Sequence, residues 1–164
     1  MGVEIHDGVI VRISRSFAHS SERLFAAFTK PELAARWMWA GLGSDPYAQI
    51  DLRVGGRYRI AITADSGNDS WPGDERAMRG VYLEIKPDRR LVYTLHWDAD
   101  VGYNRPCLDS IDEAVIVEFQ EIDVGCSLTF THAGLPGDAA SAEAHAQGTQ
   151  ASFDVLAAVL DEQP

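Results

Sequence analysis

Short segments in which apolar and polar residues alternate fill the sequence from residue 47 to residue 132. An alternation with a period of two is typical of half-buried β-strands, because successive side chains of a strand point to opposite faces of the sheet. Turn sequences such as those at residues 53–56 and 123–125 leave few residues between consecutive segments. Strands joined by short turns pair antiparallel. Together with an alternating segment at residues 9–17, the pattern predicts an antiparallel sheet of about six to seven strands.

Two short helices are predicted directly after the first strand. Ser20 is placed to cap a helix whose apolar side chains share one face, namely Leu24, Phe25 and Phe28. Thr29 and Glu32 have the spacing of a capping box and predict the start of a second helix. We expect the second helix to end at Gly41 and Gly43.

A helical period replaces the alternation after residue 137. Ser141 is placed to cap this helix, and one face collects its apolar and weakly polar residues over about five turns: Ala142, His145, Thr149, Ser152, Phe153, Leu156, Val159 and Leu160. No other predicted element is long enough to cover a curved sheet. Because a helix is only about 10 Å across, it does not fill the space over a wide curved sheet. The sequence therefore predicts one α+β domain over residues 1–164, with a curved sheet wrapped around the C-terminal helix and a cavity between them.

The charge composition excludes two classes of partner. The chain has 14 Lys and Arg residues against 25 Asp and Glu residues, a formal net charge of −11. Such a chain repels nucleic-acid phosphates and anionic lipid headgroups, so neither nucleic acid nor membrane is expected as a partner. Cys107 and Cys126 lack the spacing of a redox or zinc motif, and the first residues lack the pattern of a signal peptide. We therefore expect a cytoplasmic protein.

No pattern in the sequence indicates a metal or a cofactor. His96 and Asp98 lie two residues apart and share a strand face, but that face is the polar one and no third ligand accompanies them. The acidic loop at residues 65–75 does not fit the calcium-binding template. Neither a nucleophile elbow nor a glycine-rich phosphate loop before a helix occurs. These patterns give no metal ligand, no cofactor and no catalytic residue.

Several short motifs follow one another over most of the chain: residues 25–33 with Arg36 and Trp37, an Asp-Leu-Arg-x-Gly-Gly turn within residues 51–58, residues 80–85 with Pro87, residues 91–94, and residues 128–132 with Gly134 and Leu135. Their order and spacing resemble the START/SRPBCC superfamily, which has the helix-grip fold. More narrowly, the sequence resembles the domain of the activator of heat-shock-protein-90 ATPase and its bacterial single-domain relatives.

The sequence departs from that family at one position in the last helix. Members of the family usually place Gly-Trp early in this helix, whereas here Gly148 is followed by Thr149. Loss of the indole should enlarge the space under the helix unless Trp39, Trp71 or Trp97 fills it.

The resemblance implies a function in that space, where proteins of this fold commonly bind lipids, sterols, polyketides or other hydrophobic small molecules. Alternate side chains of a strand point to the same face, a rule that we call strand parity. It predicts that the following side chains of the sheet face inward: Ile50, Tyr58, Ile60, Val81, Leu83, Tyr93, Leu95, Trp97, Val117, Phe119, Phe130 and His132. The candidate ligand-binding residues combine part of this set with residues of the helices: Trp37, Trp39, Tyr58, Tyr93, Trp97, Phe119, His132, His145, Thr149 and Phe153.

Both a functional and a purely structural interpretation are open for these residues. The aromatic side chains could present polar groups to a ligand, or they could pack a core without a ligand. His132, near His145 or a tyrosine, could act as a general acid or base, or it could bond a backbone carbonyl at the end of its strand.

Three hypotheses for the function follow. The first is binding of a hydrophobic or aromatic small molecule, which requires a mainly apolar cavity. The second is an enzyme of cyclase, dehydratase or hydrolase type, which requires two titratable groups facing each other in that cavity. The third is a chaperone-associated interaction module, which requires a filled interior and a contiguous exposed patch. A homodimer is also possible.

Overall fold

Seven strands and three helices form the part of the chain that the computed structural model describes, residues 9–38, 43–64, 75–99, 113–135 and 139–162. Trp39, Trp71, Cys107 and most of the acidic loop lie outside these residues. The elements in chain order are β1 (Val9–Phe17), α1 (Ser21–Thr29), α2 (Pro31–Trp37), β2 (Gly43–Ile50), β3 (Arg57–Ala64), β4 (Glu75–Lys86), β5 (Arg90–Ala99), β6 (Glu113–Glu121), β7 (Cys126–Leu135) and α3 (Ala139–Asp161).

The strands form one antiparallel sheet in the order β1-β7-β6-β5-β4-β3-β2. Consecutive strands from β2 to β7 are neighbours, and β1 joins the far edge by pairing with β7. The predicted fold is confirmed: an α+β arrangement with a curved seven-stranded sheet, two short helices after the first strand and a long C-terminal helix.

Strand parity predicts the buried face correctly on most strands. The inner positions of β3, β5, β6 and β7 are buried as expected: Tyr58, Ile60, Tyr93, Leu95, Val117, Phe119, Phe130 and His132. The apolar residues of this face form a continuous core with the buried faces of α1, α2 and α3.

The parity prediction is wrong in the middle of β4. Leu83 is 40% exposed, and Val81 is only half buried, whereas Tyr82 between them is buried at 3% exposure. The pairing of β4 with β5 shifts at this place: Tyr82 lies opposite Tyr93, but Glu84 lies opposite Val92, so Leu83 is an extra residue. A β-bulge of this kind reverses the faces of the residues on its two sides.

Local hydrogen bonds explain how the two short helices begin. The Ser20 side chain accepts a hydrogen bond from the Arg23 amide and caps α1, as predicted. The capping box predicted for α2 is wrong, because Thr29 is the last residue of α1 and its hydroxyl donates to the Phe25 carbonyl oxygen. Lys30 takes the N-cap position of α2 without a side-chain hydrogen bond.

Two other predicted ends of helices are corrected. Helix α2 ends at Trp37, and Gly43 is the first residue of β2, so Gly43 does not terminate the helix. Helix α3 begins at Ala139, so Ser141 lies within the helix. The predicted inner face of α3 is confirmed in its second half, where Phe153 and Leu156 are fully buried. Its first half is only half buried at His145 and Thr149.

A side chain of β6 ties the start of α1 to the sheet. The Glu121 carboxylate accepts hydrogen bonds from both the backbone amide and the hydroxyl of Ser21, at 2.8 and 2.5 Å. These two hydrogen bonds lower the pKa of Glu121 below its usual value, since they stabilise the charged form. The contact fixes α1, and with it the adjoining α2, against the inner face of the sheet.

Candidate functional site

A cavity of about 290 Å³ lies between the first half of α3, the end of α2 and the inner faces of β4, β5 and β7. Thirteen described residues line it, most of them apolar: Trp37, Met38, Met78, Tyr93, Leu95, Phe130, His132, Ala144, His145, Gly148, Thr149, Ser152 and Phe153. The half-buried part of α3 therefore borders the cavity rather than solid core.

Regular backbone spacing brings these side chains together. Tyr93 and Leu95 are two residues apart on β5, as are Phe130 and His132 on β7, so each pair points to the same face. On α3 the lining residues recur every three or four positions, which keeps them on one side of the helix.

The apolar wall includes aromatic rings that contact one another. Phe153 is fully buried and lies 5.5 Å from Phe130, 6.1 Å from Phe17 and 6.2 Å from Trp37, measured between ring centroids. The indole Nε1 of Trp37 donates to the Ala27 carbonyl oxygen at 2.9 Å. Because its only polar atom is used in this way, Trp37 offers the cavity an apolar surface.

A chain of three titratable side chains forms the polar end of the cavity. The Nε2 atom of His132 lies 3.0 Å from the Glu113 Oε1 atom, and the Nδ1 atom of His132 lies 3.0 Å from the Nε2 atom of His145. The side chains of His132 and Glu113 are 2% and 8% exposed, so this chain is largely shielded from water. His132 and His145 also border the cavity.

Hydrogen-bonding rules fix the direction of the bond between His132 and an ionised Glu113. A carboxylate only accepts hydrogen bonds, so an ionised Glu113 requires a proton on Nε2 of His132. One further proton lies between the two rings, carried either by His145 Nε2 or by His132 Nδ1. The arrangement can pass a proton between a buried carboxylate and a histidine at the cavity wall, which is the chemistry of general acid–base catalysis.

Two hydroxyl groups of α3 add to the polar lining. The Thr149 hydroxyl donates to the His145 carbonyl oxygen at 3.0 Å, and the Ser152 hydroxyl donates to the Gly148 carbonyl oxygen at 3.2 Å. Since both protons are used within the helix, each oxygen is left to act as an acceptor toward the cavity.

The cavity collects six of the ten residues predicted from the sequence: Trp37, Tyr93, His132, His145, Thr149 and Phe153. Trp39 lies outside the described residues, and the side chain of Trp97 on β5 is outside them as well.

The remaining two predicted residues are buried elsewhere. Phe119 lies at the opposite end of β6 from Glu113, and its ring packs edge-on against Phe25 and Phe28 beneath α1. Tyr58 lies on β3, and its hydroxyl donates to the Thr94 carbonyl oxygen at 2.6 Å. Strand parity places both side chains inward but does not say which part of the sheet borders the cavity.

Glu113 is the main functional residue that sequence reasoning missed. It stands two residues before Val115, and therefore on the inward face of β6, where an acidic residue is unusual. Extending the alternation of Val115 and Val117 backwards would have indicated it. Met38 and Met78 were also missed, and no signal in the sequence distinguishes them from core residues.

The described residues do not form a metal site. No group of three His, Cys, Asp or Glu side chains among them converges on a common point. Glu113, His132 and His145 instead bond to one another in a line, which turns their donor atoms toward each other. None of the described helices combines the length and apolar character needed to cross a membrane.

Comparison with known structures shows related folds in several bacteria. Protein CV1439 from Chromobacterium violaceum is 27% identical, with a TM-score of 0.72 over 95% of this chain and all of that one. Protein Mll3558 from Rhizobium loti is 25% identical, with a TM-score of 0.68 over 92% and 96% of the two chains. An AHSA1-like protein from Aeromonas hydrophila, 20% identical, shares the fold with a TM-score of 0.67 over 93% and 92%.

The family comparison is more specific. The search of curated proteins found no match. Residues 18–161 match the sequence profile of the family described as Activator of Hsp90 ATPase homolog 1-like protein, a segment that extends from the residue after β1 to the end of α3. The resemblance inferred from the sequence motifs is thereby confirmed, and the chain belongs to this family.

Proposed function

We propose that this protein binds a small, mainly apolar molecule in the cavity under α3. The observation that carries the proposal is an unfilled volume of about 290 Å³ bordered by buried aromatic side chains. A concave, mainly apolar space with a few polar groups is the usual form of a small-molecule site in a protein. The apolar wall and polar end give the cavity the composition of a ligand site.

Size and polarity narrow the class of ligand. The volume lies at the lower end of the range for ligand pockets, about 300 to 1,000 Å³, so a molecule of one or two rings fits better than a sterol. The polar groups at the cavity belong to Tyr93, His132 and three side chains of α3, whereas the rest of the lining is apolar, which favours a ligand with few hydrogen-bonding groups.

Filling the cavity tests the proposal. Thr149→Trp would place an indole at the position where the family resemblance implies one, on the side of α3 that lines the cavity. We expect a folded protein that no longer binds naphthalene derivatives, whereas the wild-type protein binds them and melts at a higher temperature in their presence. The measurements are isothermal titration calorimetry and thermal unfolding.

Gln147→Trp supplies the matched control, because Gln147 is exposed on the same helix. It adds the same side chain without reaching the cavity and should leave binding intact. Equal binding by the wild-type protein and by Thr149→Trp would show that the cavity is not the binding site.

The interaction-module hypothesis is less well supported. It requires a filled interior, which the cavity contradicts. Among the described residues the two most exposed large hydrophobic side chains are Val54 and Val124, and they lie in different turns. Each has one further exposed apolar residue beside it in its turn, Leu52 and Ile122 respectively. Two such small groups in different turns do not make one extended apolar patch.

An acid–base enzyme is the second candidate, and the Glu113–His132–His145 chain favours it. Two of its members border the cavity and are hydrogen-bonded to each other, which is the arrangement that the enzyme hypothesis requires. Cyclase, dehydratase and hydrolase reactions all need a proton to be removed from or delivered to the substrate.

Deuterium exchange tests this candidate without knowledge of the natural substrate. If the histidine pair acts as a base, the wild-type protein in heavy water should replace the methyl protons of acetylnaphthalene with deuterium, and His145→Asn should not. Proton NMR follows the loss of the methyl signal. An exchange rate equal to that of buffer alone would leave binding as the only supported function.

A further inference from the structure

Tyr93 borders the cavity and has a buried hydroxyl group that lacks a hydrogen-bonding partner among the described residues. Tyr93 is 6% exposed, borders the cavity, and makes ring contacts with Tyr58 and Tyr82. Its hydroxyl forms no hydrogen bond with any residue in the part of the chain that the structure describes. A buried hydroxyl group normally has a partner, because leaving it unpaired is costly.

One neighbouring tyrosine, Tyr58, shows that a hydroxyl in this cluster of rings can find a partner in the backbone. Tyr58 belongs to the same cluster of rings, with its centroid 5.3 Å from that of Tyr93, and its hydroxyl donates to a backbone carbonyl oxygen. Tyr82 resembles Tyr93: it is 3% exposed, and its hydroxyl also lacks a hydrogen bond to the described residues. Tyr82, however, does not border the 290 Å³ cavity.

The protonation state of Tyr93 makes it a hydrogen-bond donor. Burial, and to a smaller degree the nearby Tyr82, raise the pKa of Tyr93 above its ordinary value. The phenol therefore keeps its proton and can donate a hydrogen bond to an acceptor atom. No arginine or lysine is found among the described residues that line the cavity, so a neutral acceptor is favoured over an anion.

We propose that the Tyr93 hydroxyl determines the specificity of the cavity by donating a hydrogen bond to a carbonyl oxygen of the ligand. The ligand is thus an aromatic or aliphatic ketone, aldehyde or ester whose apolar part lies against Trp37, Phe130 and Phe153. This inference rests on the proposed binding function and adds the chemical class of the ligand to it.

Two probes of nearly equal shape test the proposal. Acetylnaphthalene offers a carbonyl oxygen, and isopropenylnaphthalene carries a methylene group in the same place. We expect the wild-type protein to bind the ketone about tenfold more tightly than the alkene, as one buried hydrogen bond would give. Tyr93→Phe should abolish this preference by weakening ketone binding only, and Tyr82→Phe should preserve it. Calorimetry gives both affinities.

The stability of the ligand-free protein provides a second measurement. Because the Tyr93 hydroxyl has no hydrogen bond within the described part of the chain, Tyr93→Phe should leave the melting temperature unchanged or raise it, whereas Tyr58→Phe should lower it. A fall in the melting temperature of Tyr93→Phe comparable to that of Tyr58→Phe would mean that the hydroxyl is already satisfied, and would overturn the inference.

The remaining outcomes separate this inference from the proposed function. Equal affinity of the wild-type protein for both probes, with both lost in Thr149→Trp, would reject the role of Tyr93 and keep the binding function. A ketone preference that persists in Tyr93→Phe would likewise reject it. Failure of both probes to bind the wild-type protein would contradict the inference and the proposed function together.

Discussion

Phe153→Ala is expected to lower the free energy of unfolding by about 3 to 5 kcal/mol, the usual cost of truncating a buried phenylalanine. Phe153 is fully buried and makes ring contacts with Phe17, Phe130 and Trp37, which belong to β1, β7 and α2. It therefore joins α3 to two strands of the sheet and to α2. Urea denaturation followed by circular dichroism measures the loss.

Gln147→Ala on the exposed side of α3 is the control, and it should change the stability by no more than about 0.5 kcal/mol. Because Phe153 also borders the existing cavity, its truncation leaves a larger hollow that cannot collapse completely. A loss below about 1 kcal/mol would mean that α3 does not depend on this ring for its attachment to the sheet.

Glu113→Ala should have the second-largest effect, a loss of about 3 kcal/mol. His132 is 2% exposed, and removal of the carboxylate leaves its Nε2–H without the acceptor that it has in the wild-type protein. An unpaired buried donor costs about 1 to 3 kcal/mol, and a broken buried ion pair costs more. Glu113→Gln keeps an acceptor oxygen and should recover part of the loss.

Glu118→Ala is the matched control for Glu113→Ala, since Glu118 lies on the same strand in an exposed ion pair with Arg90. Such a pair contributes about 0 to 1 kcal/mol. Nitrogen NMR of the histidine rings reports on the hydrogen bonds directly, which a stability measurement does not. In Glu113→Ala, the Nε2 signals of both His132 and His145 should shift. Unchanged ring signals would show that the three groups are not coupled.

The sheet could be predicted from the sequence because its faces follow a local rule. The alternation at Val115, Val117 and Phe119 on β6 identifies their buried face without any knowledge of the partner strands. The same rule fails at Leu83, because the bulge is a property of the pairing with β5 rather than of β4 alone. The alternation of inward and outward side chains continues along a strand up to an extra residue, and beyond that residue the two faces are exchanged.

The candidate site was less predictable because it depends on register. Val115 lies opposite His132, which brings the Glu113 side chain, two residues away on the same face, within reach of the imidazole. A shift of the register by two residues would keep every face buried and yet separate these groups. Helix periodicity places His145 on the inner face of α3, but only the packing of α3 on the sheet brings it to His132.

The pairing of β1 with β7 has a consequence for how the chain reaches this structure. Phe17 lies opposite Cys126 and Val11 lies opposite His132, so the first strand finds its neighbour only after more than a hundred residues. Contacts between such distant parts of a chain are formed late and slow the search for the native topology. During synthesis on the ribosome, we expect β1 to remain unpaired until almost the whole polypeptide has emerged. The edge of β1 is therefore exposed to aggregation until the hairpin of β6 and β7 has formed and β7 pairs with it.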